Sequence, residues 1–170
     1  GRDALFFVII MLMLLPFQVT MVPNVITLRA MGLLDTVWSV ILPMTVAPFY
    51  IFLLRQYMVG LPGDMIEAAQ IDGAGTLRCF VHVVMPVCQP ILGAAIALSF
   101  ADCWNLVEQP LTYLTTHTEL YPLSVAFNQL TQKSTGVEFA GAALYTLPAL
   151  FIYLFFQNDI LEGVQLTELK

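Results

Sequence analysis

Four stretches of this sequence lack fixed charge over about the length of a bilayer crossing. They constrain the fold more than any other feature. Ala4 to Leu28 and Thr36 to Leu54 contain no charged residue, Cys79 to Ala101 carries only His82, and Phe139 to Asn158 carries nothing ionised. A spanning helix needs roughly 20 mostly apolar residues to cross about 30 Å of hydrocarbon. Backbone groups find no water there, so each run must pair its own N–H and C=O groups as a helix. The apolar–polar alternation of a membrane barrel is absent from all four. The expected fold is all-α: a polytopic membrane helix bundle with four transmembrane helices.

Composition supports the same reading. Hydrophobic residues make up 59% of the 170 residues and charged ones 11%, against roughly 45–50% and 25% in soluble domains. That balance excludes an ordinary soluble enzyme or binding module. The net charge of −6 argues against nucleic acid, whose phosphates demand a basic patch, and against a polybasic membrane anchor. Pro16, Pro43, Pro48, Pro86 and Pro148 fall inside or at the ends of the spans. Membrane helices tolerate such kinks because neighbouring helices re-satisfy the freed carbonyls. In the third run, Gly93, Ala97 and Ala101 form a small-residue stripe that admits close helix approach, either within the chain or from a second subunit.

Positive charge sets the orientation. With the loop between spans two and three in the cytoplasm, Arg2, Arg55, Arg78 and Lys170 lie inside, and only Arg29 and Lys133 lie outside. The bias runs in the expected direction. It places residues 55–85 in the cytoplasm and 105–138 outside. The chain opens with Gly1 and Arg2, and its first apolar run is too long for a signal peptide and lacks a small-residue cleavage site. Residues 1–170 are therefore expected to be one transmembrane domain, the C-terminal portion of a longer protein.

The segment Arg55 to Pro90 carries the functional signal. Pro62 to Asp64 suits a helix start, Glu67, Ala68, Ala69 and Ile71 follow, and Gly73 supplies a stop. A second helical stretch is expected from about Thr76 toward Pro86. Two short helices with a glycine corner would present small side chains and the carboxylates of Glu67 and Asp72. Small residues let such an element enter a partner's cleft, and carboxylates orient against basic groups there.

This segment resembles the EAA-type cytoplasmic loop of ABC importer permeases. Glu67-Ala68-Ala69, Asp72-Gly73-Ala74, Phe80, Pro86 and Pro90 carry the match. Leu53-Leu54-Arg55-Gln56, Trp104-Asn105, Pro110-Leu111, and Phe155-Phe156-Gln157 with Gly163 extend it to the carbohydrate branch, specifically the maltose-type second permease subunit. The resemblance covers essentially the whole chain. Relatives of full length have six spans, so these would be spans three to six. Asn158-Asp159 and the tail from Gln165 to Lys170 depart from the branch's usual ending.

The resemblance implies a MetI-like subunit of the cytoplasmic membrane of a bacterium or archaeon. It implies two ATPase subunits, a second permease subunit and an extracytoplasmic solute-binding protein as partners. Residues 55–85 would form the coupling loop, with Glu67, Ala68, Ala69, Asp72, Gly73 and Ala74 as its ATPase-coupling residues. ATP and Mg would bind the partner ATPase. This chain would hold no cofactor, and it contains no GxxxxGK[ST] phosphate cradle.

Asp102, Trp104 and Asn105 are the candidate solute-pathway residues. Intramembrane acids are functional candidates, and an indole beside amide and carboxylate groups can stack on and hydrogen-bond a sugar. Trp is equally an interfacial anchor. Tyr50, Gln56, Asn128, Gln129 and Tyr145 could line a pathway but carry no individual signal. Cys79, Cys88 and Cys103 form no CxxC pair, so neither a disulfide framework nor a metal site is indicated. Nor does His82 or His117 stand in a metal-ligand pattern. An importer of amino acids, peptides or another small solute shares the loop motif and remains the alternative. An intramembrane enzyme would require a nucleophile–base pair or metal set. A passive channel would have no use for a docking loop.

Overall fold

The computed structural model describes residues 1–130 and 135–168. Every regular element among them is helical. The chain forms two compact units, Gly1–Phe49 with Phe100–Leu150 and Tyr50–Ser99 with Phe151–Lys170. Two helices are long and apolar enough to cross a membrane, Val37–Val59 and Glu138–Gly163, and the number rises to four when each of two bent pairs counts as one span.

The first apolar run is not the single helix its composition predicts. It folds as α1 (Arg2–Met13) and α2 (Phe17–Ala30), which meet at 105°. Pro16 explains the break. It offers no N–H to the Leu12 carbonyl, and it disfavours helical geometry at Leu15. The last turn of α1 tightens instead, with Leu14 and Leu15 donating to Met11 and Leu12. Pro16 then adopts extended geometry (φ −68°, ψ 151°) as the N-cap of α2. Hydropathy is continuous across the junction, so composition alone cannot register the turn.

The second run forms α3 (Val37–Met44) and α4 (Pro48–Val59). Between them Thr45 returns its hydroxyl to the Leu42 carbonyl at 2.7 Å. In the unit containing α2 and α3, Asp35 turns the connection in left-handed geometry (φ 61°). Its backbone N–H donates to the Tyr113 carbonyl at 3.0 Å. Its carboxylate accepts the Thr116 N–H at 2.7 Å and faces the hydroxyls of Thr115 and Thr116. These bonds, led by the Thr116 N–H, hold the Asp35 carboxyl below its ordinary range.

The loop segment folds as α5 (Gly63–Ile71), α6 (Thr76–Cys79), a π-helical turn over Phe80–Val84, and α7 (Met85–Val87). These bounds agree with the start near Pro62 to Asp64, the stop at Gly73 and the restart at Thr76 expected from sequence. A 68° bend at Cys88 leads into α8 (Gln89–Trp104). Pro86 and Pro90 deprive the His82 and Pro86 carbonyls of their helical donors, so the ladder is weakest there. Tyr57 braces the bend by donating its hydroxyl to the Val87 carbonyl at 3.1 Å.

Three helices complete the chain: α9 (Glu108–Tyr113), α10 (Leu123–Leu130) and α11 (Thr135–Glu168), the last containing Pro148. The small-residue stripe is largely absorbed by packing within the chain. Gly93 and Ala97 are buried and Ala101 is exposed. Gly93 lies against the Asp159 side chain, and Gly163 sits within contact of Ala94 and Ile91. Lys133, Lys170 and the side chains of Asn128, Gln129 and Gln165 to Glu168 lie outside the described residues.

Candidate functional site

Helix α5 ends by pairing its last carbonyls with its own following backbone. The Ala74 N–H reaches back to the Ala69 carbonyl at 2.9 Å and the Gly73 N–H to the Gln70 carbonyl at 3.0 Å. This nested pair is a Schellman motif, which requires the residue after the C-cap to be left-handed. Gly73 fills that position with φ 82°. Open space surrounds it, so backbone geometry rather than crowding selects glycine there. The Asp72-Gly73-Ala74 triplet is thus a helix terminator, and Ala69 and Ala74 belong to it through their backbone groups.

Helix α5 buries part of one face, with Met65 and Ile66 half-buried, and presents the rest outward. Glu67, Ala68, Asp72 and Gly73 are exposed, while Ala69 and Ala74 are half-buried. The corner also bares two large apolar side chains that the sequence reasoning passed over, Ile71 at 86% exposure and Leu77 at 77%. Exposed apolar side chains beside polar ones are a feature of contact surfaces. The signal lay in the sequence, where Ile71 and Leu77 flank the glycine corner.

The Asp102–Trp104–Asn105 group lies at the end of α8, in the other unit. Trp104 is half-buried, and Asp102 and Asn105 are exposed. The Asn105 and Leu106 N–H groups cover the Ala101 and Cys103 carbonyls, and the Trp104 carbonyl is satisfied from another helix. The Tyr145 hydroxyl donates to the Trp104 carbonyl at 2.7 Å, and the Ser124 hydroxyl donates to the Leu106 carbonyl. The Trp104 indole N–H in turn donates to the Tyr145 carbonyl at 3.1 Å. Asn105 folds its amide N–H back onto the Ala101 carbonyl at 2.8 Å.

The rings form a continuous series. Phe100 stacks on Trp104 with centroids 5.4 Å apart, Trp104 meets Tyr145 at 5.3 Å, and Tyr145 stacks on Phe127 at 5.3 Å. Tyr145, undistinguished in the sequence, is the centre of this arrangement. Gln56 and Tyr50, also weighed as pathway residues, lie in the other unit.

A cavity of about 400 Å³ occupies the same unit as Trp104, lined by Val37, Val40, Ile41, Met44, Cys103 and Leu106 among others. Its walls are almost entirely apolar, which suits neither a sugar nor ordered water.

The sequence profile of the binding-protein-dependent transport system inner membrane component family matches residues 1–160. The chain belongs to this family. Among similar proteins, the arabinooligosaccharides transport system permease protein AraQ of Bacillus subtilis (strain 168) is 30% identical over 100% of the chain and 61% of its own length. The diacetylchitobiose uptake system permease protein NgcG of Streptomyces coelicolor is 31% identical over 96% of the chain and 56% of its own length. The osmoprotective compounds uptake permease protein GgtD of Synechocystis sp. is 30% identical over 100% of the chain and 59% of its own length. The chain therefore spans about three-fifths of the length of these curated relatives. The all-helical architecture agrees with membership of this inner membrane component family.

Proposed function

We propose that this chain serves as a permease subunit of an ATP-driven importer for sugars or oligosaccharides, multi-pass in the cytoplasmic membrane of a bacterium or archaeon. The observation that carries the reading is the Schellman-capped α5, whose corner bares Ile71 and Leu77 beside Glu67 and Asp72. That element fits a groove on a partner with an apolar floor and basic rim. In this reading the partner is one of two ATPase subunits, which bind ATP and Mg, and residues 55–85 form the coupling loop.

Closure of the ATPases displaces α5 as a rigid body and biases a membrane bundle with two stable arrangements. Glu67 and Asp72 orient the docked helix. Ala68 keeps its exposed face shallow, and Ala69, Gly73 and Ala74 fix its end. A second permease subunit completes the pathway, and an extracytoplasmic solute-binding protein delivers solute. The chain itself performs no hydrolysis and holds no cofactor.

The names of AraQ and NgcG support an oligosaccharide as solute. Asp102, Trp104 and Asn105 form the proposed pathway edge. The exposed carboxylate and amide supply polar contacts, and the Trp104 ring supplies the flat apolar surface. The name of GgtD keeps a second reading in view, a small osmoprotective solute handled by the same loop.

The test is recovery of the intact protein in mild detergent with whatever accompanies it. The expected result is a Walker-A-bearing ATPase and a second multispan subunit, with the ATPase lost on Glu67→Lys while membrane insertion persists. Recovery of the protein alone under several mild detergents would overturn the assignment. Solute-stimulated ATP hydrolysis by the reconstituted complex then separates oligosaccharides from small osmoprotectants.

A further inference from the structure

Tyr145 and Trp104 each use a side-chain donor on the other's backbone carbonyl, at 2.7 and 3.1 Å. Together the two bonds join α8 and α11 at one level. The pair is also fitted closely: the Phe127 ring that backs Tyr145 lies 2.7 Å from where a Cβ on Gly141 would stand. Only glycine at 141 lets Phe127 and Tyr145 stack while α10 meets α11. The pair therefore holds the end of α8 to the first part of α11.

The two helices differ in what they can transmit. Helix α8 runs unbroken from Gln89 to Trp104, about 24 Å at 1.5 Å per residue, and follows the coupling loop after α7 and the 68° bend at Cys88. Tyr57 braces the bend that precedes it by donating to the Val87 carbonyl. Helix α11 contains Pro148, whose missing N–H leaves the Leu144 carbonyl without its helical donor and permits a bend. Pro148 separates Tyr145 from the second contact of α11 with α8, at Asp159 and Gly163. Tyr145 therefore supplies a contact with α8 on the far side of Pro148 from the one at Asp159 and Gly163.

We propose that Tyr145 is a positioning residue of the transport cycle. Through its reciprocal bond with Trp104 it makes the segment of α11 before Pro148 follow α8 when the coupling loop is driven. The proposal rests on the coupling-loop reading above. Neither residue needs to touch solute or nucleotide for this role.

Two thiol reporters test it in the intact complex in lipid nanodiscs. Cys103 is exposed on α8, whereas Cys79 and Cys88 are buried. Thr146→Cys places a second thiol at an exposed position on α11, one residue from Tyr145. Alkylation by N-ethylmaleimide is followed with and without ATP and vanadate. The expected result is that trapping shifts both rates in otherwise native protein, and that Tyr145→Phe abolishes the shift at position 146 while Cys103 keeps its own. Shifts at both sites in Tyr145→Phe would overturn the proposal. A shift at Cys103 alone in otherwise native protein would also overturn it, leaving the coupling loop intact as a reading. No shift at either site would remove the coupling-loop reading and the proposal with it. Should Tyr145→Phe fail to insert, Trp104→Phe, which keeps a ring and removes the indole N–H, goes through the same comparison.

Discussion

Helix α5 ends at Gly73 by folding its own backbone over its last carbonyls, whereas α8 ends with the Trp104 carbonyl accepting the Tyr145 hydroxyl and, two residues on, the Leu106 carbonyl accepting that of Ser124. The two solutions have opposite consequences for the side chains. A self-sufficient end leaves Glu67, Ile71, Asp72 and Leu77 directed at solvent, ready to meet another molecule. An end satisfied by other helices draws Trp104, Tyr145 and Phe127 together and ties three helices at one point. The first design suits contact between molecules, and the second suits fixed geometry within one. Substitutions that exchange these characters should therefore fail in different ways.

The largest effect is expected at the apolar corner. Each large side chain newly buried in a partner contributes about 1.5 kcal/mol or more, and every 1.4 kcal/mol is a factor of ten in affinity. Ile71→Asp with Leu77→Asp should weaken ATPase binding roughly a hundredfold, read by titrating purified ATPase onto the nanodisc-held membrane subunits. The membrane region should insert normally, since both side chains already face solvent. Unchanged affinity would show that the corner is not the contact surface.

Gly73 comes next, and it separates backbone from side chain. Gly73→Val forces a β-branched residue to φ 82°, where left-handed geometry costs roughly 1–2 kcal/mol. ATPase affinity should fall about tenfold as the Schellman end loosens. Gly73→Asn, a residue that tolerates this geometry, should retain most of the affinity. Equal losses in the two variants would mean that bulk at the docked surface, and not the turn, governs this position.

The contrast between the regions also explains what the sequence revealed. The start of α5 near Pro62 and its stop at Gly73 were legible because capping is local chemistry, written within a few residues. The long apolar runs were legible because hydrocarbon imposes a length. The 105° junction at Leu14 to Pro16 was not, although Pro16 marks the spot, since a proline signals a break without fixing its angle. Tyr145 lies 41 residues from Trp104, and no local pattern connects them. Ile71 and Leu77 were overlooked for another reason. The sequence argument for a docking element rested on small residues and carboxylates and assigned the apolar side chains no part in it.

A smaller effect probes the tied end. Gly141→Ala places a methyl group where the Phe127 ring lies. The ring must swing aside, which sits at the low end of the roughly 1–3 kcal/mol that overpacking costs. Thermal stability in detergent should drop modestly, and ATPase affinity at the α5 corner should not change. A matching loss of ATPase affinity would mean that the helix junction also shapes the docking surface. That outcome would erase the distinction between the two ends.

The smallest effect is expected at Asp35, which joins the α2–α3 connection to the segment after α9 in the unit that holds Trp104. Its carboxylate accepts the Thr116 N–H and is held below the ordinary 3.8 by that bond first, with the Thr116 and Thr115 hydroxyls adding to it. A depressed carboxyl favours the folded state above its unfolded value, and the contribution disappears as pH falls through the lower folded value. Native protein should therefore melt higher than Asp35→Asn at pH 6, and the gap should close as pH is lowered below 3.8. Asn keeps the tolerance for φ 61°, so the comparison isolates the charge from the turn. A gap that persists unchanged to pH 3 would assign the stabilisation to hydrogen-bond geometry alone. The tie would then depend on shape, as it does at Trp104 and Tyr145, and not on ionisation.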